Sequence, residues 1–259
     1  MDFDFGAHAR AVTRVDDDGI TYDGFRWRPL PDGALRCLRY FRRLCHPSQP
    51  LVAPAQADPI ETAMLARWAH EKDWHGEMLT RVLAAHDVAP DDPEAAVARR
   101  RVRHGTPARW ASVNGDDAVA IRMTWAAVDE WTIRSGYHRL TVREEHPVLT
   151  DVLHRVTRRE SRHAAYLASQ ARDRLARSVR ARRLTRLALR HLWAPGASGA
   201  LSRTDTDHLV RYLFGDEAGW QEIRHLDDRI DRLPGLAGLG LVSRAVRRHG
   251  VVDPSTRRG

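Results

Sequence analysis

The chain has 259 residues, 42% of them apolar, which is enough to bury one sizeable core and leads us to expect one domain with a C-terminal extension. Its 42 Lys and Arg against 34 Asp and Glu give a formal charge of +8, which favours an acidic partner such as nucleic acid, anionic lipid or an acidic carrier protein. No apolar run approaches the roughly 18 residues that span a membrane, and Met1-Asp2-Phe3-Asp4 lacks the basic-then-apolar pattern of a secretory signal, so a cytoplasmic protein is expected.

Residues Gly19 to Arg28 (G-I-T-Y-D-G-F-R-W-R) alternate around Asp23-Gly24 and predict a small N-terminal β-hairpin within a segment 1–30. A short helix is predicted from Asp32 to Cys45, ending before His46-Pro47. It carries the chain's two cysteines, Cys37 and Cys45, whose spacing matches neither a Cys-x-x-Cys metal pair nor a redox pair and which read as reduced core residues. Pro47 to Pro59 reads as a connector. A long helix should follow from Pro59 to His86, with Asp58 as N-cap and Pro59 at its first position.

Ala89-Pro90-Asp91-Asp92-Pro93 stops that helix, and a basic connection including Arg99 to His104 leads to a third from Asp116 to Arg143. Glu144-Glu145-His146-Pro147 breaks the pattern, and a fourth helix runs from Pro147 to about Arg174. Breaks at Pro195-Gly196, Gly215, Pro234 and Gly250 divide the remainder into three or four shorter helices. The expected fold class is all-α, a bundle over 31–175 followed by a helical extension over 176–259 that packs on it. Arg172 to Arg190 reads as one arginine-rich amphipathic helix, most simply a solvated face. No helix-turn-helix spacing, zinc-finger ligands or RNA-binding aromatic signature accompanies it, so nucleic acid is disfavoured as a partner.

The apolar stripes of the three long helices are interrupted by ionisable residues. Leu65, Trp68, Leu79 and Val82 share a face whose missing steps are Lys72 and His75, with Glu71 on the flank. Val119, Met123, Ala126, Ile133, Tyr137 and Leu140 define a face completed by Glu130. Leu149, Val152, Val156, Leu167 and Gln170 define one completed by Glu160 and His163, an Glu-x-x-His pair whose side chains fall on one side of a helix. An unpaired buried charge costs several kcal/mol, about 3–5 when a partner is removed, so such a convergence implies either mutual ion pairing or a bound metal. Both remain open. Lys72 is the chain's only lysine. It can be read as a buried counter-ion to Glu130 and Glu160, as a functional amine, or as a side chain that snorkels out of the bundle.

The segments W-A-H-E-K-D-W-H-G-E-M-L (Trp68 to Leu79), V-D-E-W-T-I-R-S-G (Val128 to Gly136) and R-E-S-R-H-A-A-Y (Arg159 to Tyr166) resemble the corresponding helices of soluble acyl-carrier-protein desaturases, members of the ferritin-like superfamily. The resemblance covers roughly residues 30 to 175. It implies a ferritin-like bundle of four core helices and a di-iron site built from one Glu, a Glu-x-x-His, a second Glu and a second Glu-x-x-His. Carried over, it implies His75, Glu130, Glu160 and His163 as metal ligands. Two carboxylates of the pattern are missing: Lys72 stands three residues before His75, and no Asp or Glu occurs between Gly33 and Ala57.

What the resemblance then implies is one iron, with manganese or zinc as substitutes, or none, and a non-haem oxidoreductase or oxygenase acting on an acyl or other apolar substrate. That substrate could arrive on an acidic acyl carrier protein, from an unidentified electron donor the reaction would draw electrons, and a homodimer is admissible. Lys72 and Glu71 are the candidate catalytic side chains, Glu71 also as a substitute ligand in Glu-x-x-x-His with His75 after a helix rotation. The alternative is a metal-free ferritin-like scaffold, a binding or regulatory protein in which Lys72 is the internal counter-ion.

Overall fold

A computed structural model describes residues 19–45, 59–89, 115–195 and 202–254, without the side chains of 59–61, 159 and 160. Among the described residues there are helices and turns but no strands. The helices are α1 (Gly24–Trp27), α2 (Asp32–Leu44), α3 (Pro59–Ala84), α4 (Asp116–Glu144), α5 (Pro147–Arg177), α6 (Val179–Leu192), α7 (Arg203–Phe214), α8 (Glu217–Asp231) and α9 (Leu241–Arg248). None of them is long and apolar enough to cross a membrane. The expected all-α bundle is what forms. The proposed cap Asp58, most of the 47–59 connector and the basic connection at 99–104 lie outside the described residues.

Helices α2, α3, α5 and α4 close a ring in which α2 packs on α3, α3 on α5, α5 on α4 and α4 on α2. Contacts at the ends give their directions. Leu30, just before α2, donates its N–H to His86 Nε2 just after α3, and Phe25 lies between His86 and the α5 cap His146, at 4.9 and 4.6 Å between ring centroids. Tyr212 links the start of α2, where it lies against Gly33, to Glu144 at the end of α4. Ring neighbours are therefore antiparallel, and the diagonal helices α3 and α4 run parallel. Consecutive parallel helices on a diagonal require the chain to cross over between them.

The second layer explains why α4 is buried on nearly every side. It touches α6, α7 and α8 as well as α2 and α5, and its buried residues include Thr124, Thr132, Ser135, Gly136 and Arg139 outside the predicted stripe. A helix surrounded by others loses the polar face of a surface helix. Gly136 serves the close approach of α2: a Cβ there would lie 2.6 Å from Phe41 Cζ. Arg139 donates to Asp216, the N-cap of α8, at 2.6 and 2.7 Å and to the Leu213 carbonyl at 2.9 Å, tying the extension to the core.

The N-terminal hairpin does not form. Residues 24–27 make a helical turn, with Asp23 at φ −57° and ψ −22°, whereas a two-residue hairpin turn of the Asp-Gly kind needs positive φ at both central residues. Gly24 is there for a different reason: α5 comes so close that a Cβ would meet Val148 Cγ2 at 2.7 Å. Phe25 is buried beneath the two histidines, Trp27 projects into solvent, and the Arg28 carbonyl meets His146 Nε2 at 2.8 Å. Burial of one aromatic ring fixed the segment, which no strand partner accompanies among the described residues.

Arg172 to Arg190 is likewise two helices. Ser178 is extended (φ −127°, ψ 116°), accepts from the Ala181 N–H and donates to Asp117 Oδ1 at 2.9 Å, ending α5 and capping α6. His146 caps α5 by accepting from the Leu149 N–H, with Pro147 in the first turn.

Candidate functional site

Helix geometry separates consecutive residues by about 100°, so Glu71 and Lys72 on α3 address different neighbours. Lys72 reaches across the diagonal to α4, where its Nζ lies 2.9 Å from Glu130 Oε1 and 3.1 Å from Oε2. Both side chains are 3% exposed or less. Trp68, one turn earlier on α3, donates its indole N–H to Glu130 Oε1 at 2.9 Å, and its ring centroid is 6.0 Å from Nζ. The carboxylate is thus held by an ammonium on both oxygens and by an indole on one. A buried ion pair holds its place only with such additional hydrogen bonds.

Glu71 turns toward the adjacent helix α5. Its Oε2 lies 3.2 Å from His163 Nε2, and its Oε1 accepts from Arg67 Nε at 2.8 Å. Placed on the flank by sequence periodicity, Glu71 is 6% exposed, as deep as the stripe itself, because α5 covers that side of α3. His75, one turn after Glu71 and Lys72, is fully buried with its ring 5.5 Å from that of Trp74. Glu160 falls within α5, three residues before His163, but its side chain lies outside the described residues.

A third acid borders this centre and was missed by the sequence reading. Asp129 accepts from Trp193 Nε1 at 2.8 Å, across the α4–α6 interface. Burial pushes its carboxyl up to about 7, the neighbouring Glu130 charge adds to that, and the hydrogen bonds from Trp193 and Trp125 and the charge of Lys72 oppose it. The sequence signal was present in Val128-Asp129-Glu130, two acids in a row within an otherwise apolar segment, but only one of them lies on the predicted stripe. Trp68 was assigned to the stripe as an apolar residue; its indole N–H is what the site uses. Tyr137 packs on Phe41 with ring centroids 4.6 Å apart, and Trp131 lies under the Arg229 guanidinium at 4.4 Å, both in the core. Cys37 and Cys45 are buried thiols, and burial pushes Cys37 up to about 12.

The described side chains do not suit a di-iron centre. Such a centre needs about four carboxylates around its cations, and here the Lys72 ammonium lies in contact with the Glu130 carboxylate at the middle of the bundle. The set that could hold a single ion is the Glu71–His163 contact, with His75 on the same helix and Glu160 on the same helix as His163. Among the described residues, no group of three His, Cys, Asp or Glu side chains is close enough to form a metal site. No family model, characterised protein or solved structure matches the chain.

Proposed function

We propose that this chain is a ferritin-like protein related to the acyl-carrier-protein desaturases in which ion pairs stand in the place of the metal centre, and that it acts as a binding or regulatory scaffold and not as an oxygen-activating enzyme. The observation that carries this reading is the two-point contact of Lys72 with Glu130 across the bundle diagonal, at 2.9 and 3.1 Å, with Trp68 on the same carboxylate. The parallel diagonal pair α3 and α4 supports the ferritin-like part, since one long crossover distinguishes such bundles. An ion pair in the place of a ligand set keeps the helices in register without a metal ion. Lys72 then has the counter-ion role.

A second reading is favoured by a separate observation, the Glu71–His163 contact at 3.2 Å. In it, one iron, manganese or zinc is held by His163, Glu71 or Glu160, and His75, and the protein is an oxidoreductase for an acyl or apolar substrate. Iron would supply oxygen activation there.

Metal quantification by mass spectrometry on protein purified from medium supplemented with iron, manganese and zinc separates the two. Under the first reading the wild type holds less than about 0.1 metal per chain. About one metal per chain, lost in the Glu71→Ala, His163→Ala variant, overturns it and supports the second. Lys72→Glu, which restores the carboxylate of the first Glu-x-x-His of the pattern, is expected to gain metal that the wild type lacks.

A further inference from the structure

Outside the bundle centre, four arginines gather where α6 and α9 meet. Two anchors set the geometry. Near the start of the contact, Arg186 donates to the carbonyls of Gly235 and Ala237, at 3.2 and 2.9 Å, in the loop that leads into α9. That loop presses on α6, since a Cβ on Gly235, at φ +81°, would lie 2.7 Å from Arg182 Cβ. At the other end, Arg248 of α9 donates to the Trp193 carbonyl, the C-cap of α6, at 3.5 Å. From the first anchor to the second, α6 and α9 therefore run in the same general direction. One turn after Arg186 stands Arg190, and one turn before Arg248 stands Arg244.

This cluster is poorly neutralised. Burial and the charges of Arg190, Arg248 and Arg186 all hold Arg244 below the usual guanidinium value, and Asp227 is the one carboxylate among the groups acting most strongly on it. Asp227 itself accepts the N–H groups of Val242 at 2.8 Å and Ser243 at 3.0 Å, capping α9. Arg186 and Arg248 are positioned by neutral carbonyls. Arg244 Nη2 is out of solvent and has no hydrogen-bond partner among the described residues.

The bland explanation is that basic residues near helix C-termini offset the helix dipoles. It accounts for part of the cluster, since Arg190 lies in the last turn of α6 and Arg248 in that of α9, and each such end carries about half a negative charge. Set against four guanidiniums, two helix ends, Asp227 and Asp231, which accepts from the Gly238 and Leu239 N–H groups beside the carbonyls that hold Arg186, leave about one positive charge unmatched. Arg190 and Arg248 are exposed while Arg186 and Arg244 are half-buried, so the cluster opens to solvent on one side. Planar guanidiniums carried by two neighbouring helices, one with an unpartnered Nη2, suit a tetrahedral oxyanion, which they can hold by paired charge-assisted hydrogen bonds.

From these observations we infer that Arg186, Arg190, Arg244 and Arg248 form a binding site for a phosphate-class dianion, supplied either as a free phosphate or as the headgroup of a phosphate-monoester lipid. The site is independent of how the bundle centre is read.

The test is isothermal titration of the full chain with inorganic phosphate, chloride-balanced to constant ionic strength, beside co-sedimentation with phosphatidylcholine vesicles doped with phosphatidic acid. Wild type is expected to bind at one site per chain. Affinity should fall about tenfold or more in Arg190→Gln and in Arg244→Gln, the loss of one charge-assisted contact. Arg172→Gln together with Arg180→Gln, a loss of two charges elsewhere on the surface, should leave it unchanged. Binding of phosphate alone identifies a soluble ligand, and binding of vesicles alone a headgroup. Failure of both in wild type, or equal losses in the control variant, overturns the site. Arg190 is exposed and its replacement should leave the helical circular dichroism intact, so the result does not depend on Arg244→Gln folding.

Discussion

The bundle centre and the α6–α9 junction both collect ionisable side chains, and they treat them in opposite ways. In the centre, Lys72 and Glu130 are within 3% of full burial and face each other across the diagonal, while Glu71 contacts His163 and Arg67. At the junction, four arginines face Asp227 and Asp231, two carboxylates already engaged by backbone N–H groups. Away from water a charge must be matched within the protein; beside water, mismatch is tolerated because solvent and ions screen it. Matching inside points to structure maintained without a ligand, and mismatch at the rim points to a ligand supplied from outside.

The largest expected effect lies in the centre. Lys72→Met removes the ammonium and leaves Glu130 buried with the Trp68 indole alone of these two partners, which should destabilise the fold by about 3–5 kcal/mol in urea denaturation. Lys72→Met with Glu130→Leu should recover most of that loss, because a buried pair replaced by apolar side chains is often neutral or better. A single-variant loss below about 1 kcal/mol would mean that the pair is wet or replaceable, and the contrast with the rim would fail.

Asp129 lies between these extremes, a buried acid with hydrogen bonds but no cation in direct contact. Its folded-state carboxyl is raised to about 7 from 3.8. For an acid this sign means that folding favours the protonated form: the penalty is absent below about pH 4, grows as pH rises, and is fully present above 7. Asp129→Asn keeps an oxygen for Trp193 and should therefore be more stable than wild type at pH 8, by at most about 4 kcal/mol, with the advantage vanishing near pH 4. An advantage that is the same at both values would show that Asp129 titrates normally.

The order of the helices from α2 onward, several of their breaks, the three stripes and the burial of four candidate site residues were legible in the sequence because periodicity and Pro/Gly punctuation are local signals. Glu130, Lys72, His75 and His163 stand at steps of apolar stripes, and all are buried. What escaped depended on neighbours remote in sequence. Glu71 was placed on a flank that α5 covers; Asp129 was passed over because the Trp193 that receives it is 64 residues away. Asp23-Gly24 looked like a hairpin turn because its glycine was read for conformational freedom, when the structure uses it to let Val148 approach. The single expected helix over Arg172 to Arg190 missed a break that depends on one serine bonding Asp117 on another helix.

A peripheral tether gives a smaller effect than either buried acid. Arg139 is buried, but its partner Asp216 is 49% exposed on its side chain, so water can take over the carboxylate once the guanidinium is gone. Arg139→Ala should cost about 1–3 kcal/mol, chiefly from the Leu213 carbonyl left without its donor and the lost packing of the arginine stem. Hydrogen exchange should show the loss concentrated in α8, whose N-cap is Asp216.

The smallest predicted change carries the sharpest sign. In the centre, deleting a cation destabilises; at the junction, deleting one should not. Arg244→Gln removes a charge that Arg190, Arg248 and Arg186 repel and Asp227 attracts, among the groups acting most strongly on it. At low ionic strength and without phosphate, the variant should therefore match wild type within about 0.5 kcal/mol, on the more stable side, since surface like-charge relief is of that size. Added sodium chloride screens the repulsion and should close the gap. Phosphate should invert it, because a ligand that binds the folded state stabilises wild type by RT ln(1 + [L]/Kd) and the variant by less. Thermal unfolding in chloride and in phosphate at matched ionic strength reads both signs. A variant less stable in both salts by the same amount would place Arg244 with Lys72, as a cation the fold itself requires.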